Sequence, residues 1–585
     1  MIVNLMLSLL NKKWCQAESA LDTVSMLETE LQLPKAIAAL LANRGVTTKE
    51  SAKDFLEADF ARLHDPFLMN GMQQAVDRVI HAFEKKESIT VFCDYDVDGV
   101  TSAAFLTHFF RDLNCPVEAY LPERQSEGYG LNSEAVRKIR ESGANLMITA
   151  DCGITGVKEV ALANEIGLDV IVTDHHQVGE EGLPPAVAVL NPHRADCNYP
   201  YRFLSGVGLA FKLAIAVRKR MYMEGWPKES LPNLKRHLDL LALGTIADVA
   251  PLTGENHILT LHGLEMLSVT AKPGLVALKE TAGIVGNVDA RSVGFGLGPR
   301  LNAAGRLGRA DSGLHLLTST DLKEAKSLAR ELELTNKERK DIQEETVAEA
   351  EELFRNEVDI KKDRVIVLAS EIFHPGVIGI AASRMVDKYH RPTVLIAIEG
   401  DQGKGSGRSI PKFNLFKAFT DCGEHLLQFG GHAYAAGLTI KEDQVEAFRN
   451  AMNEVGHRHL NEEDLIPEVG VDTVLRLDEI DLSFYSRLAL LEPFGAENPV
   501  PCFLSQGVQF QEVKQIGKEK NHVRFRVRQG SGRIEGVGFG LAEVFDSVEV
   551  ATETFDIAYE INLNTWNGRE KLEIKLVDLR LADAG

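Results

Sequence analysis

With 585 residues, 44% of them apolar and 25% charged, the chain has the composition of a soluble protein of about three domains and holds no apolar run able to span a bilayer. Its formal net charge of −21 excludes polyanion binding by bulk charge, because phosphate contacts work through cations and counterion release, so any nucleic-acid surface has to be local. Seven cysteines with no C-x-x-C spacing exclude a disulfide framework and a structural zinc and point to a reducing compartment, the cytoplasm.

The opening MIVNLMLSLLNKKW places its lysines after the apolar part, so it reads as an amphipathic start packed on the body and not as a leader. From Ser88 to Leu190 the apolar runs ITVFC, VEAYL, NLMITA, DVIVT and AVAVL alternate with helix-like stretches such as TSAAFLTHFFRDL. That alternation predicts a parallel sheet with crossover helices. Phe211 to Leu317 reads as mostly helical, with glycine-rich interruptions. Asp321 to Val358 is charged, lacks Gly and Pro and keeps apolar residues at helical spacing, which predicts one long helix joining two globular bodies. A second α/β unit follows from Arg364 to Gly456, with strands at RVIVLAS, TVLIAIEG and AAGLTI. From Leu465 to Ala584 a period-two alternation predicts a small antiparallel barrel. The expected domains are a helical segment 1–69 on the catalytic body, a catalytic domain 70–320, the helix 321–360, a second domain 361–460 and the barrel 465–585.

The stretch TVFCDYDVDGVTS puts Asp94, Asp96 and Asp98 at alternate positions ahead of Gly99. A calcium loop would need a bidentate Glu at its twelfth position, where this chain has Phe105, and an entering helix where it has a strand. Carboxylates just after a buried strand belong instead to the C-terminal edge of a parallel sheet, where α/β folds place their sites. Asp151 follows NLMITA, and Asp174, His175 and His176 follow DVIVT. A single Asp after a strand is most often a turn former or helix cap; three such strand ends together point to a divalent ion. Carboxylates suit Mg²⁺ or Mn²⁺, and Mn²⁺ accepts imidazole as well. Asp151 is placed to bridge two ions, Asp98 to cap the following helix or orient a ligand, and His176 to fix a ligand or contact the phosphate. Cys93 and Cys152 read as buried small hydrophobes.

In that order, DYDVDG, ADCGIT and TDHHQ resemble the first three motifs of the DHH phosphoesterase superfamily, and the chain is similar to its RecJ branch of single-strand-specific 5′-to-3′ DNA exonucleases. LHDPF, PERQSEGYGL, LGTIADVAPL, GPRLNAAGRL, HPGVIGIAASR, GSGRS, GGHAYAAG and LEPFGAENPVP extend the resemblance over nearly the whole chain. It implies a multidomain α/β architecture. A parallel-sheet DHH domain and a smaller α/β DHHA1 domain are joined by a long helix, and an OB-fold β-barrel follows at the C-terminus. It also implies metal ligation by Asp94, Asp96, Asp151, His175 and Asp248, with two Mn²⁺ or Mg²⁺ ions and His176 at the phosphate. Some relatives carry a histidine shortly before the first Asp, where this chain has Phe92 and Cys93, which leaves the first ion one ligand fewer.

Arg300, Asn302 and Arg306 suit contacts to the reacting or backbone phosphate, because a guanidinium grips phosphate bidentately. Glycine and serine around Arg408 in GKGSGRS permit close backbone approach to a phosphate. By resemblance Ser406 and Arg408, with Arg124 opposite and His432 nearby, hold the terminal 5′ phosphate. KQIGKEKNHVRFRVRQGSGR is basic within an acidic chain. Lys514, Lys518, Lys520, Arg524, Arg526 and Arg528, with Phe525 as a stacking face, are the expected single-strand track. The expected function is metal-dependent 5′-to-3′ exonuclease action on single-stranded DNA, releasing 5′ mononucleotides in repair and recombination. A single-strand-binding protein and a helicase are the expected partners, with no membrane, and the chain is expected as a monomer. The alternatives are a phosphodiesterase on short oligonucleotides or cyclic dinucleotides, a pyrophosphatase, and a non-catalytic replication scaffold.

Overall fold

Burial on both faces makes the first strands. In the computed structural model, which describes residues 7–122, 130–307, 311–550, 552–566 and 569–582, Ile89–Cys93 and Leu146–Ala150 are buried at every position, as continuous apolar runs in a parallel sheet require. Five parallel strands lie in the order Val117–Tyr120, Ile89–Cys93, Leu146–Ala150, Asp169–Thr173, Ala188–Leu190. The three strands that end in acids and histidines are therefore immediate neighbours, and their C-terminal ends share one edge. From that edge the helix Val97–Asp112 departs, capped by Asp96, whose Oδ1 accepts from the Gly99 N–H at 3.0 Å. Helices Gly206–Met223 and Leu238–Ala247 pack on it and extend the same core.

The chain divides into two compact units. One comprises Lys53–Glu338 with Leu491–Pro499, the other Met1–Ala52 with Arg339–Leu490 and Val500–Gly585. The division after Glu338 falls inside a single helix, Leu322–Glu357, which forms where its charged helical spacing predicts it. Among the described residues no helix is long and apolar enough to cross a membrane.

The second unit holds a mixed sheet and a barrel. The sheet runs Leu426–Gly431, Ala435–Lys441, Gln402–Arg408, Thr393–Glu399, Ile366–Ser370, and only its last pair is parallel. In the barrel the long strand Phe503–Ile516 pairs at one end with Phe555–Trp566 and at the other with His522–Gln529. A register shift between Gln511 and Lys514 bends it, and the circle closes through Gly532–Gly538 and Arg569–Leu581. The expected all-antiparallel pattern is corrected at two places, since Glu535–Val537 runs parallel to Glu573–Lys575 and Thr473–Val474 runs parallel to Phe503–Leu504; period-two alternation fixes faces but not strand direction.

The N-terminal expectation is corrected as well. Lys13–Gln16 is a strand, paired in parallel with Glu468–Val471, and the Trp14 indole N–H donates to Asp578 at 2.8 Å. Met1–Ala52 thus groups with the barrel-bearing unit and not with the acidic sheet, because the partner strand lies far along the sequence where no local pattern announces it. Residues 1–6 lie outside the described residues.

Candidate metal centre and nucleic-acid surfaces

Three sets of ligand atoms, each within 4.8 Å of one another, form at the shared strand edge: Asp94, Asp96 and Asp151; Asp151, His175 and His176; Asp98, His175 and Asp248. Asp151 belongs to two sets and sits at the centre. Its backbone is left-handed, at φ +64, a conformation that Asp tolerates better than most residues and that turns the chain sharply off the strand. Helix Gly206–Met223 starts against it, so close that a Cβ at residue 206 would meet the Asp151 Cβ at 2.6 Å.

The site carries more negative charge than its own groups can balance. Burial, then the charges of Asp98, Asp96, Asp248 and Asp174, hold the Asp151 carboxyl well above the carboxylate range. Burial and Asp96 raise Asp94 to about 7, and burial and Asp98 raise Asp248 to about 7. Burial disfavours the His175 imidazolium, yet Asp248 and Asp98 outweigh it and raise that pKa. Asp151 Oδ1 and His175 Nε2 lie 3.0 Å apart, both buried and without a hydrogen-bond partner among the described residues. Two buried orphaned donor atoms aimed at each other fit a divalent ion, and this mixture of oxygen and nitrogen suits Mn²⁺, with the carboxylates alone suiting Mg²⁺.

A pH prediction follows from the same crowding. Asp94 and Asp248 titrate near 7 when folded and near 4 when unfolded. Their protonation therefore stabilises the ion-free protein at low pH, and this contribution is lost as pH rises through about 7. A bound ion replaces those protons, so the gain in Tm on exchanging EDTA for Mn²⁺ is expected to be larger at pH 8 than at pH 5.5. Thermal scans at the two pH values check it, and equal gains would contradict it.

Around the ligands, several groups hold position. Asp174 accepts from His176 Nδ1 at 2.7 Å and from the N–H groups of His176 and Ile154 at 2.9 and 2.8 Å. Burial pushes its carboxyl up, but these bonds outweigh it and keep it below the usual value. The same bond and charge favour the His176 imidazolium against burial. Asp98 caps a helix, though not the one that follows it: its two oxygens accept from Gly206 N–H at 2.6 Å and Val207 N–H at 2.9 Å. Nothing in the local sequence names a partner so far along the chain. Cys93 and Cys152 are buried and burial drives both thiols well up; neither belongs to a ligand set, and Phe92 is core.

Helix Gly298–Arg306 follows a π-helical turn, Ser292–Leu297, a local distortion frequent at functional sites. Asn302 Oδ1 accepts from the Val97 N–H at 3.2 Å, which ties the helix to the acidic loop. Arg306 is four residues on, on the same face of the helix. Arg300 instead donates to the Gly296 carbonyl at 2.6 Å and pairs with Glu333 at 2.5 Å.

In the second unit GKGSGRS forms a strand, which corrects its reading as a phosphate loop. Its ladder uses the backbone, and Gly403, Gly405 and Gly407 are small because a Cβ would strike Ile396, Leu438 and Leu415 at 2.5–2.6 Å. Alternation sends Ser406 and Arg408 to the other face, where Arg408 Nη1 donates to Ser406 Oγ at 3.1 Å and to the Gly407 carbonyl at 2.8 Å. The first turn of helix Ile378–Tyr389 lies over them. His432 is exposed in the hairpin turn beside Ala435, the residue paired with Arg408. Arg124 lies outside the described residues.

On the barrel Arg524, Arg526 and Arg528 share the outer face of His522–Gln529. Arg526 is tied to Glu512 and Glu535, and Arg528 to Gln509. Lys514, Lys518, Lys520 and Arg524 are exposed, with no acidic partner within 4.0 Å among the described residues, and Lys514 stands directly across the ladder from Arg524. Phe525 is corrected: it is 1% exposed and packs edge-on against Phe510 in the barrel core, so it offers no face to a base. Phe525→Leu is expected to cost roughly 1–3 kcal/mol in stability, as a large-to-small change in a packed core, and to leave single-strand affinity of the folded protein unchanged in a binding titration. The exposed ring is Phe539, 56% accessible and 5.3 Å from His522; the sequence missed it because it lies beyond the basic run.

Comparison with known proteins gives three family matches: DHH family, N-terminal domain, over residues 88–245; DHHA1 domain over 362–457; and RecJ OB domain over 471–578. The single-stranded-DNA-specific exonuclease RecJ of Bacillus subtilis is 40% identical over 566 residues, 96% of this chain and 70% of that protein. That of Escherichia coli is 35% identical over 563 residues, 93% of this chain and 95% of the other. Among solved structures, RecJ of Thermus thermophilus in complex with Mn²⁺ superposes with a TM-score of 0.82 at 30% identity, covering 98% of this chain and 80% of that one. The same protein with Mg²⁺ gives 0.75.

Proposed function

The chain belongs to the RecJ family, and we propose that it is a metal-dependent exonuclease that degrades single-stranded DNA from the 5′ end and releases 5′ mononucleotides, with two Mn²⁺ or Mg²⁺ ions. What carries the reading is the pair of orphaned buried atoms, Asp151 Oδ1 and His175 Nε2, inside a ring of carboxylates. Asp94, Asp96 and Asp151 would hold one ion, and Asp151, His175 and Asp248 the other; when bound, such ions would supply Lewis-acid polarisation of the phosphodiester and activation of water. His176, whose imidazolium Asp174 favours against burial, steadies negative charge on the scissile phosphate, while Asn302 and Arg306 on their helix face position the backbone beside the acidic loop. Arg300, engaged by Glu333, reaches phosphate only by exchanging that partner.

Ser406, Arg408 and His432 hold the terminal 5′ phosphate. On the barrel Lys514, Lys518, Lys520 and Arg524 form the track, Arg526 and Arg528 flank it, and Phe539 replaces Phe525 as the stacking ring. Each phosphate contact adds about 0.7 to the slope of log affinity against log salt for a single strand. Lys514→Ala with Arg524→Ala is therefore expected to lower that slope by about 1.4, measured by fluorescence anisotropy from about 50 to 300 mM salt. An unchanged slope removes both residues from the track. Action in the cytoplasm as a monomer, on strands exposed by a helicase and covered by a single-strand-binding protein in repair and recombination, completes the reading. End-labelled single and double strands with either terminus blocked test it. Release of 5′ mononucleotides from single strands with a free 5′ end supports it, and digestion from the 3′ end or no digestion refutes it.

A further inference from the structure

The stretch LEPFGAENP has no part in metal or strand binding as described, yet the fold singles it out. Leu491–Pro499 groups with the acidic-sheet unit, although Leu490 before it and Val500 after it belong to the other. The Ala496 carbonyl accepts from the Leu252 N–H at 2.8 Å, and Gly495 lies so close over buried Leu252 that a Cβ would meet its Cδ1 at 2.6 Å. Asn498, fully buried, holds the loop's own shape by donating to the carbonyls of Leu491 and Pro493 at 2.8 and 2.9 Å.

Leu252 ends the turn that begins at Asp248. Asp248 closes the helix Leu238–Ala247, and Val249 after it is left-handed at φ +60 and 70% exposed. A β-branched residue in that conformation is strained, and such strain persists only where the surroundings over-determine it. The Pro251 carbonyl is held by Asn256 and Tyr201 on one side, and Leu252 by the Ala496 carbonyl on the other. Asp248 Oδ2 lies 3.9 Å from His175 Nε2, so a small relaxation of this turn would move a carboxylate out of reach of the ion it shares with His175.

We propose that Leu491–Pro499 is a positioning element for Asp248: the docked loop holds the strained Val249 turn and so sets the affinity of one of the two metal sites, leaving the other untouched. The inference rests on the reading of Asp248 as a ligand. Mn²⁺ titrations of the full chain, followed by electron paramagnetic resonance, compare the parent with Gly495→Ala, Asn498→Ala and Asp248→Ala. Loss of a supporting partner costs about tenfold or more in metal affinity, so Gly495→Ala and Asn498→Ala are each expected to weaken one ion about tenfold and to spare the second. Val249→Gly, which removes the strain, is expected to restore much of the lost affinity in the Asn498→Ala background. Should Gly495→Ala fail to fold, Asn498→Ala and its rescue carry the test. If the loop variants bind both ions as the parent does, or lose both together, while Asp248→Ala loses one, the positioning role is wrong and the ligand reading stands. If Asp248→Ala also binds both ions normally, the ligand reading itself falls.

Discussion

Asp151→Asn is expected to lower exonuclease turnover by roughly a thousandfold or more, about 4 kcal/mol of lost transition-state stabilisation, while making the ion-free protein more stable. The two effects have one cause. Asp151 is 1% exposed, faces Asp98, Asp96, Asp248 and Asp174, and is held well above the carboxylate range. A neutral amide of the same shape keeps the left-handed backbone, which Asn also tolerates, and removes a buried charge that only a cation can balance. With it goes one of the carboxylate oxygens that would hold the ions in the proposed site. Turnover in Mn²⁺ and Tm in EDTA at pH 8 are the measurements. A variant that loses activity and stability together would show Asp151 to be a structural residue, and one that keeps activity would remove it from the site.

Opposed effects of this kind arise because the sheet edge is assembled for charge, not for packing. Strand composition made the edge legible: ITVFC, NLMITA and DVIVT are apolar throughout, which in a parallel sheet means burial on both faces and ligands at the ends. That the three strands are neighbours is a fact of topology, inferred from the shared chemistry of their ends. Asp248 had no such signal. It ends a helix, where an acid is unremarkable, and only family resemblance singled it out. Asp98 had the opposite problem, standing among candidate ligands while its oxygens serve a helix more than a hundred residues away.

Where local pattern misled, a long-range contact decided. KWCQ is a strand because Glu468–Val471 lies beside it. Phe525 looked like a stacking ring because it sits between arginines, but in a strand the neighbours of an outward residue point inward, so the same alternation that exposes Arg524 and Arg526 buries Phe525. The period-two rule was available from the sequence and settles the point without coordinates. It also reinterprets GKGSGRS, whose glycines at every second position mark a crowded inner face.

That alternation leads to the second large effect. Arg408→Ala is expected to reduce kcat/KM on 5′-phosphorylated strands about a hundredfold and to change it little on 5′-hydroxyl strands. Burial lowers the Arg408 pKa, and among the described residues no carboxylate lies within 4.0 Å to compensate, since its side chain bonds to Ser406 Oγ and a carbonyl. A half-buried cation without a counter-ion favours an anion from outside, and a charge-assisted bond to phosphate contributes about 1.5–3 kcal/mol. The first turn of helix Ile378–Tyr389 lies against this side chain through Gly379, where a Cβ would meet Arg408 Nη2 at 2.8 Å and Ser406 Oγ at 3.0 Å. Gly379→Ala should therefore shift the preference the same way by displacing the guanidinium, and Arg408→Lys should restore only part of it, because a point charge cannot reproduce the planar fork. Equal losses on both kinds of 5′ end would assign Arg408 to general strand binding or to folding, and the terminal-phosphate site would have to be sought elsewhere in the chain.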